Sequence, residues 1–187
     1  MAKDIKTYYE QSYIDNTLRL REVLQTLPSF TKDYFRAVEP TTSAKTRISY
    51  AYDIRVFFHF LIENNPIYHD YTTTQFTLQD LERVEPIDIE EYLEYLKVYK
   101  ADDNQVITNG EKGLARKFSS LRSFYRYFYR HQMIEKNPTI FVDMPKLHDK
   151  AIIRLDIDEV ALLLDYVENC GKELTGQKKV YYEKTKT

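Results

Sequence analysis

Apolar positions recur at helical spacing along most of the chain, and the breaks between them fall at proline and asparagine. Residues 4–27 carry a polar helical pattern that Pro28 and Ser29 stop. A shorter pattern over 29–39 ends at Pro40. Thr41–Asn65 predicts a long helix, with Ser43 placed to cap its N-terminus and Asn64, Asn65 and Pro66 ending it. Residues 66–77 read as loop and 78–86 as a short helical turn. Ile87–Lys100 reads as a helix whose apolar stripe is Ile89, Leu93 and Leu96. The polar run 101–110 is a loop, Glu111–His131 a second long helix, and Asn137-Pro138 a break. Pro145 favours extended chain over 144–152. Asp156, with Glu159 three residues on, has the capping-box spacing that opens a last helix.

The segment from Gly113 to Gln132 alternates aromatic and basic residues almost one for one. At about 100° per residue the alternation resolves into two faces. Leu114, Phe118, Leu121, Tyr125 and Phe128 share an arc of about 80° and form an apolar stripe. Lys112, Arg116, Ser119, Ser123, Arg126 and Arg130 share a similar arc opposite, with no carboxylate among them. A face that only meets water usually mixes Glu with Lys, because i,i+4 pairs are favourable. Short serines between arginines instead let a helix backbone approach a partner closely, as entry to the major groove of a duplex requires, while the cations neutralise phosphates. A solvated basic face remains the plain alternative, and a membrane-surface or calmodulin-type helix a third.

The earlier long helix repeats the arrangement more weakly. Tyr50, Ile54, Phe57 and Leu61 form its core stripe, with Phe58 beside it, and Lys45, Ser49 and Tyr52 lie roughly opposite. Thr46 sits in the first turn, where free backbone N–H groups favour a phosphate. By contrast Asp80, Glu82, Glu85, Asp88, Glu90, Glu91 and Glu94 form an acidic stretch that a phosphate backbone would repel. They lack the ligand spacing of a calcium loop, so the reading is a solvated face on the far side of the domain, with no metal site.

Composition changes this picture in three places. Only four glycines and six prolines occur in 187 residues, which favours long helices over a many-stranded sheet. The formal net charge is −2, so any binding to nucleic acid has to come from local charge rather than overall charge. Cys170 stands alone, which leaves no internal disulfide and fits a reducing cytoplasm. No signal peptide and no membrane-spanning run is visible, so no membrane partner is expected.

Two stretches resemble the tyrosine recombinases, the phage-integrase and Xer-like family. "KTRISYAYDIRVFFHFL" is similar to the family's T-x-x-x-Y-x-x-D-[IL]-x-x-F helix through Thr46, Tyr50, Asp53, Ile54 and Phe57. "LARKFSSLRSFYRYFYRHQMIEKNP" resembles a second family segment through Arg116, Ser119, Leu121, Arg122, Phe124, Tyr125, Ile134, Asn137 and Pro138, with Phe118 in place of a leucine. "MPK" followed by "LDIDEVALLL" looks like the linker and first helix of that family's catalytic domain. The resemblance runs from about Thr41 to Val167.

It implies an all-α fold: an orthogonal helical bundle of the SAM-like core-binding type, with an N-terminal helical extension and a C-terminal linker plus one helix. The expected domains are an extension over 1–40, a core-binding domain over 41–144, and a linker with a truncated start of a catalytic domain over 145–187. In the family the core-binding domain is one arm of a clamp around DNA. The catalytic arm attacks a phosphodiester with a tyrosine, assisted by two arginines, a lysine and histidines. Here "LTGQKK" (Leu174–Lys179) departs from the family's T-G-x-R, and none of His59, His69, His131 and His148 has an arginine three residues on. Tyr181 and Tyr182 are therefore not assigned as nucleophiles. The expectation is a DNA-binding fragment with no catalytic residues that cleaves no DNA. Its partners are double-stranded DNA and other recombinase protomers, with no cofactor and no small-molecule ligand. The DNA-contact candidates are Lys45, Thr46, Ser49, Lys112, Arg116, Ser119, Ser123, Arg126 and Arg130, joined by Lys146 and Lys150 because the linker should cross the DNA backbone. The rival reading is a helical protein-interaction module whose aromatic stripe or acidic helix docks a partner.

Overall fold

A computed structural model describes residues 7–101, 104–146, 148 and 154–179, with the backbone alone for 170–173. Seven α-helices and one small hairpin occur among them, joined by short 3-10 turns. In chain order these are α1 (Tyr8–Gln25), α2 (Thr31–Val38), α3 (Ala44–Asn64), α4 (Leu78–Arg83), α5 (Pro86–Tyr95), strands β1 (Val98–Lys100) and β2 (Val106–Thr108), α6 (Glu111–Arg130) and α7 (Ile157–Glu173).

The helix ends follow local chemistry. Thr7 caps α1 in a reciprocal box with Glu10, and Ser43 caps α3 by accepting the Thr46 N–H at 3.1 Å. Asp156 and Glu159 form the box that opens α7. Thr77 opens α4 through Asp80, whose carboxylate accepts the Thr77 N–H at 2.8 Å. Each such bond satisfies a donor that the first helical turn leaves without an intrahelical partner. At the other end of α6, Gln132 takes a left-handed φ of 54°. That turn lets the Met133 N–H donate to Phe128 O at 2.9 Å and close the helix.

Two expectations about secondary structure are corrected. The helix read over Ile87–Lys100 stops at Tyr95. Val98–Lys100 leaves it as a strand and pairs antiparallel with Val106–Thr108, Tyr99 facing Ile107. The stretch read as polar loop therefore supplies half a hairpin. Its β-branched Val106, Ile107 and Thr108 suit a strand, and Tyr99 is buried in the pair.

Residues 1–148 form one compact unit and 149–187 another. In the first, α1 packs along α3, and α3 crosses α6. Leu20 and Val23 of α1, with Leu27 just past its end, join the same core as Ile54, Phe57, Phe58, Leu61, Phe118, Leu121, Tyr125 and Phe128. The centre of that core is aromatic. Phe124 lies within ring contact of Phe30, Tyr34, Phe58, Tyr125 and Phe128, at centroid separations between 5.0 and 6.4 Å. Most of these rings meet edge to face, the arrangement their quadrupoles favour. In the second unit the described structure is α7, a turn at Gly176 and helical residues at 177–179.

Candidate nucleic-acid interface

The buried arc of α6 is wider than its apolar stripe. Phe118, Leu121, Tyr125 and Phe128 are buried as the pattern requires, but so are Ala115, Lys117, Ser120 and Phe124. On the wheel Lys117, Ser120 and Phe124 widen the buried arc on one side, while the other side gains only the small Ala115. The widened side is the one α2 and α3 cover: Tyr34 of α2 meets the Phe124 ring edge to face at 5.3 Å.

This skew decides what becomes of the polar face. Lys112, Ser119, Arg126 and Arg130 are exposed. Ser123 is half-buried, because Tyr34 Oη donates to its Oγ at 3.1 Å. Burial pushes the Tyr34 phenol up to about 12, against the opposing pull of the Ser123 hydrogen bond and the Arg126 charge. Its hydroxyl therefore stays a donor at neutral pH, and one lone pair of Ser123 is committed to it. Arg116 lies at the edge of the buried arc, with its side chain 48 % exposed. It donates from Nη1 to Asp53 Oδ2 at 2.6 Å and from Nη2 to Asp53 Oδ1 at 2.9 Å.

Two shallow grooves flank this face. One, of about 340 Å³, runs between Ser119, Arg122, Ser123 and Arg126 on α6 and Ile140 and Met144 on the segment after it. The other, of about 310 Å³, lies between Tyr34 and Val38 of α2 and Ser123, Arg126 and Arg130 of α6. Arg126 lines both and so stands between them. From Lys112 to Gln132 the chain holds no carboxylate. Glu111 at the head of the helix is engaged by the backbone N–H and ring of His148.

At the start of α3, Lys45 is exposed and Thr46 and Ser49 are half-buried. The first-turn N–H of Thr46 is not free for an anion, because Ser43 already accepts it. Ser49 Oγ donates back to Lys45 O at 3.0 Å, which leaves its lone pairs outward. Asp53 meets Arg116 while Phe57 meets Tyr125, so contacts ascend together along α3 and α6. The first turns of α3 thus fall toward the N-terminal end of α6. Lys146 is exposed, and Lys150 lies outside the described residues, as do Tyr181 and Tyr182.

The acidic stretch is not uniformly solvated, which corrects the reading of Asp80. That carboxylate is 3 % exposed, caps α4 and receives Arg83 at 3.3 Å. Asp88 accepts the Glu85 N–H, and Glu82 accepts the Glu135 N–H at 2.6 Å. The spacing Thr77-x-x-Asp80 was the available signal for the cap. Among the described residues no group of three or more His, Cys, Asp and Glu side chains is placed to hold a metal. No helix among them is long and apolar enough to cross a membrane.

Lys112, Arg122, Arg126 and Arg130 thus share one exposed outer face of the bundle. The chain belongs to the phage integrase N-terminal SAM-like domain family, whose model matches residues 31–132, from the start of α2 to just past α6. Core-binding domains of this family bind DNA. The chain is 32 % identical over 145 residues to a tyrosine recombinase XerC from Caldanaerobacter subterraneus, a stretch covering 75 % of this chain and 40 % of that protein. It is 34 % identical over 124 residues to a XerC from Pediococcus pentosaceus, covering 66 % and 35 %. A tyrosine recombinase from Pseudothermotoga lettingae is 32 % identical over 124 residues, covering 66 % and 37 %. The chain thus spans about 40 % or less of the length of these relatives. No solved structure matches it.

Proposed function

We propose that the chain is the DNA-binding part of a tyrosine site-specific recombinase and grips duplex DNA through the outer faces of α3 and α6. The observation that carries this reading is the face of α6. Lys112, Ser119, Arg122, Arg126 and Arg130 are exposed there, and no carboxylate follows Glu111 on the helix. Ser119 leaves room for close approach between cations. Arg116 and Arg126 are ten residues apart, or ~15 Å of helix, enough to span a major groove ~12 Å wide. Lys45 and Ser49 extend the surface from α3, and the exposed Lys146 adds a cation for the phosphate backbone; Lys150 belongs to the same reading from its sequence alone. The cations position the domain, and the small hydroxyls come nearest the bases. Other recombinase protomers on the same DNA belong to this reading, as does strand exchange by the whole protein.

Binding of a labelled duplex across a salt series tests it. Arg126→Ala should lower the slope of log affinity against log salt by about one. Ser119→Leu should weaken binding by blocking approach. If both variants fold and bind every duplex as the parent does, the face is solvated surface and the protein-interaction reading takes its place.

A further inference from the structure

Asp53 is the least expected residue in the bundle. It is 2 % exposed, sits mid-helix in α3, and caps nothing. Its carboxylate instead faces two cations from consecutive positions of α6. Arg116 takes both oxygens, and Lys117 Nζ donates to Oδ1 at 3.1 Å. Neighbouring residues on a helix point about 100° apart, so one acid reaches both only from the edge of the buried arc. Lys117 stays inside, its side chain 9 % exposed and its ammonium 5.8 Å from the centre of the Tyr99 ring. Arg116 remains about half exposed. The cluster carries one negative charge and two positive ones, and the member that meets solvent is a guanidinium.

A guanidinium has two edges that each offer a pair of parallel N–H groups. Asp53 occupies the end edge, Nη1 with Nη2. Nε has no acceptor among the described residues, so the side edge, Nε–H with the second Nη2–H, is open. The rotamer freedom of a long arginine is therefore lost on folding rather than on binding. We propose that Asp53 is a positioning residue: it holds Arg116 so that the free edge of the guanidinium is presented to a phosphate of duplex DNA. This rests on the reading of α6 as the DNA-facing helix.

The proposal has a sign that simple electrostatics does not share. Asp53→Asn removes a negative charge, and charge alone would tighten binding to DNA. Loss of positioning weakens it, by roughly two- to tenfold, the cost of ordering one long side chain at the interface. The probe is a labelled random-sequence duplex of about 30 base pairs, titrated with the full chain at ~50 mM salt, where phosphate contacts dominate. Asp53→Asn should bind more weakly than the parent. In an Arg116→Ala background the same substitution should instead tighten binding, because only the charge effect is left. Arg116→Lys leaves the Asp53–Lys117 pair intact and keeps the charge. It should still bind more weakly than the parent, because a lysine cannot hold Asp53 and a phosphate with paired N–H groups, whereas Arg126→Lys, which has no acid partner among the described residues, should bind nearly as the parent does. Should Asp53→Asn fail to fold, the contrast between the two lysine variants decides alone.

Tighter binding by folded Asp53→Asn, or full affinity in Arg116→Lys, overturns the positioning role. If Arg126→Ala weakens binding while those two variants do not, only Asp53's role falls. If Arg126→Ala also binds as the parent does, the DNA reading falls and takes Asp53's role with it.

Discussion

Replacing Phe124 with alanine tests the packing that gives α6 its orientation. The ring is fully buried and in contact with five others, contributed by α3, α6 and the segment from Phe30 to Tyr34. Removing a buried phenylalanine side chain costs about 3–5 kcal/mol, because the lost transfer free energy is joined by the cavity left behind. The edge-to-face partners put Phe124 at the upper end of that range, since such pairs add roughly 0.5–1.5 kcal/mol beyond their area. For a domain of this size about 1 kcal/mol moves Tm by ~2–4 °C, so Phe124→Ala should melt roughly 10–20 °C below the parent. Phe124→Leu, which keeps most of the volume, should lose much less. Thermal melts followed by circular dichroism measure both, with Tyr129→Ala as the exposed control expected within ~0.5 kcal/mol of the parent. If Phe124→Ala melts within a few degrees of the parent, α6 is not seated as described. The skewed burial that places Arg116 beside Asp53 then loses its basis.

Two further outcomes follow from the same structure. Burial pushes the Tyr34 and Tyr68 phenols up to about 12, and raises those of Tyr92 and Tyr125 well above their ordinary value. Between the unfolded value near 10 and these folded values the native state holds more protons. Stability should therefore be complete below pH 10 and fall as pH rises through that window; ultraviolet titration should show these phenols ionising only as the fold melts, and Tyr34→Phe should soften the decline. Gln132 adopts a left-handed backbone that costs an L-residue ~1–2 kcal/mol. Gln132→Gly should raise stability by up to about 1 kcal/mol in a denaturant titration, and a loss instead would mean the side chain contributes more than the strain costs.

The long helices and their caps were legible because they rest on local rules. Ser43, Asp156 and Glu159 act within four residues of themselves, and the stripe from Phe118 to Phe128 is a property of one helix. The hairpin was not legible, since three-residue strands are too short to show alternation and Val98–Lys100 continues an apolar run at helical spacing. Local rules also place Lys112, Ser119, Arg126 and Arg130 on one side of α6, and that side is exposed. They do not reveal that Ser123 is engaged by a tyrosine 89 residues away or that Arg116 meets an acid 63 residues away. Asp53 matched a family motif, yet nothing on its own helix says which cation it meets. Such pairings arise only when two helices cross, and their register depends on packing summed over the whole aromatic core.

The unequal charge count at Asp53 also restricts how this site is free to drift in sequence. With two cations on one acid, either base can be replaced first and leave a balanced pair behind. The acid has no such freedom. Substituting it while Lys117 is still inside leaves a buried cation unpaired, a change that costs about 3–5 kcal/mol. Mutational paths through positions 53, 116 and 117 are therefore ordered: a base goes first, the acid only after Lys117. The surplus charge makes Arg116 the substitution the fold tolerates most easily, and so the point at which the bundle can outlive the surface it carries.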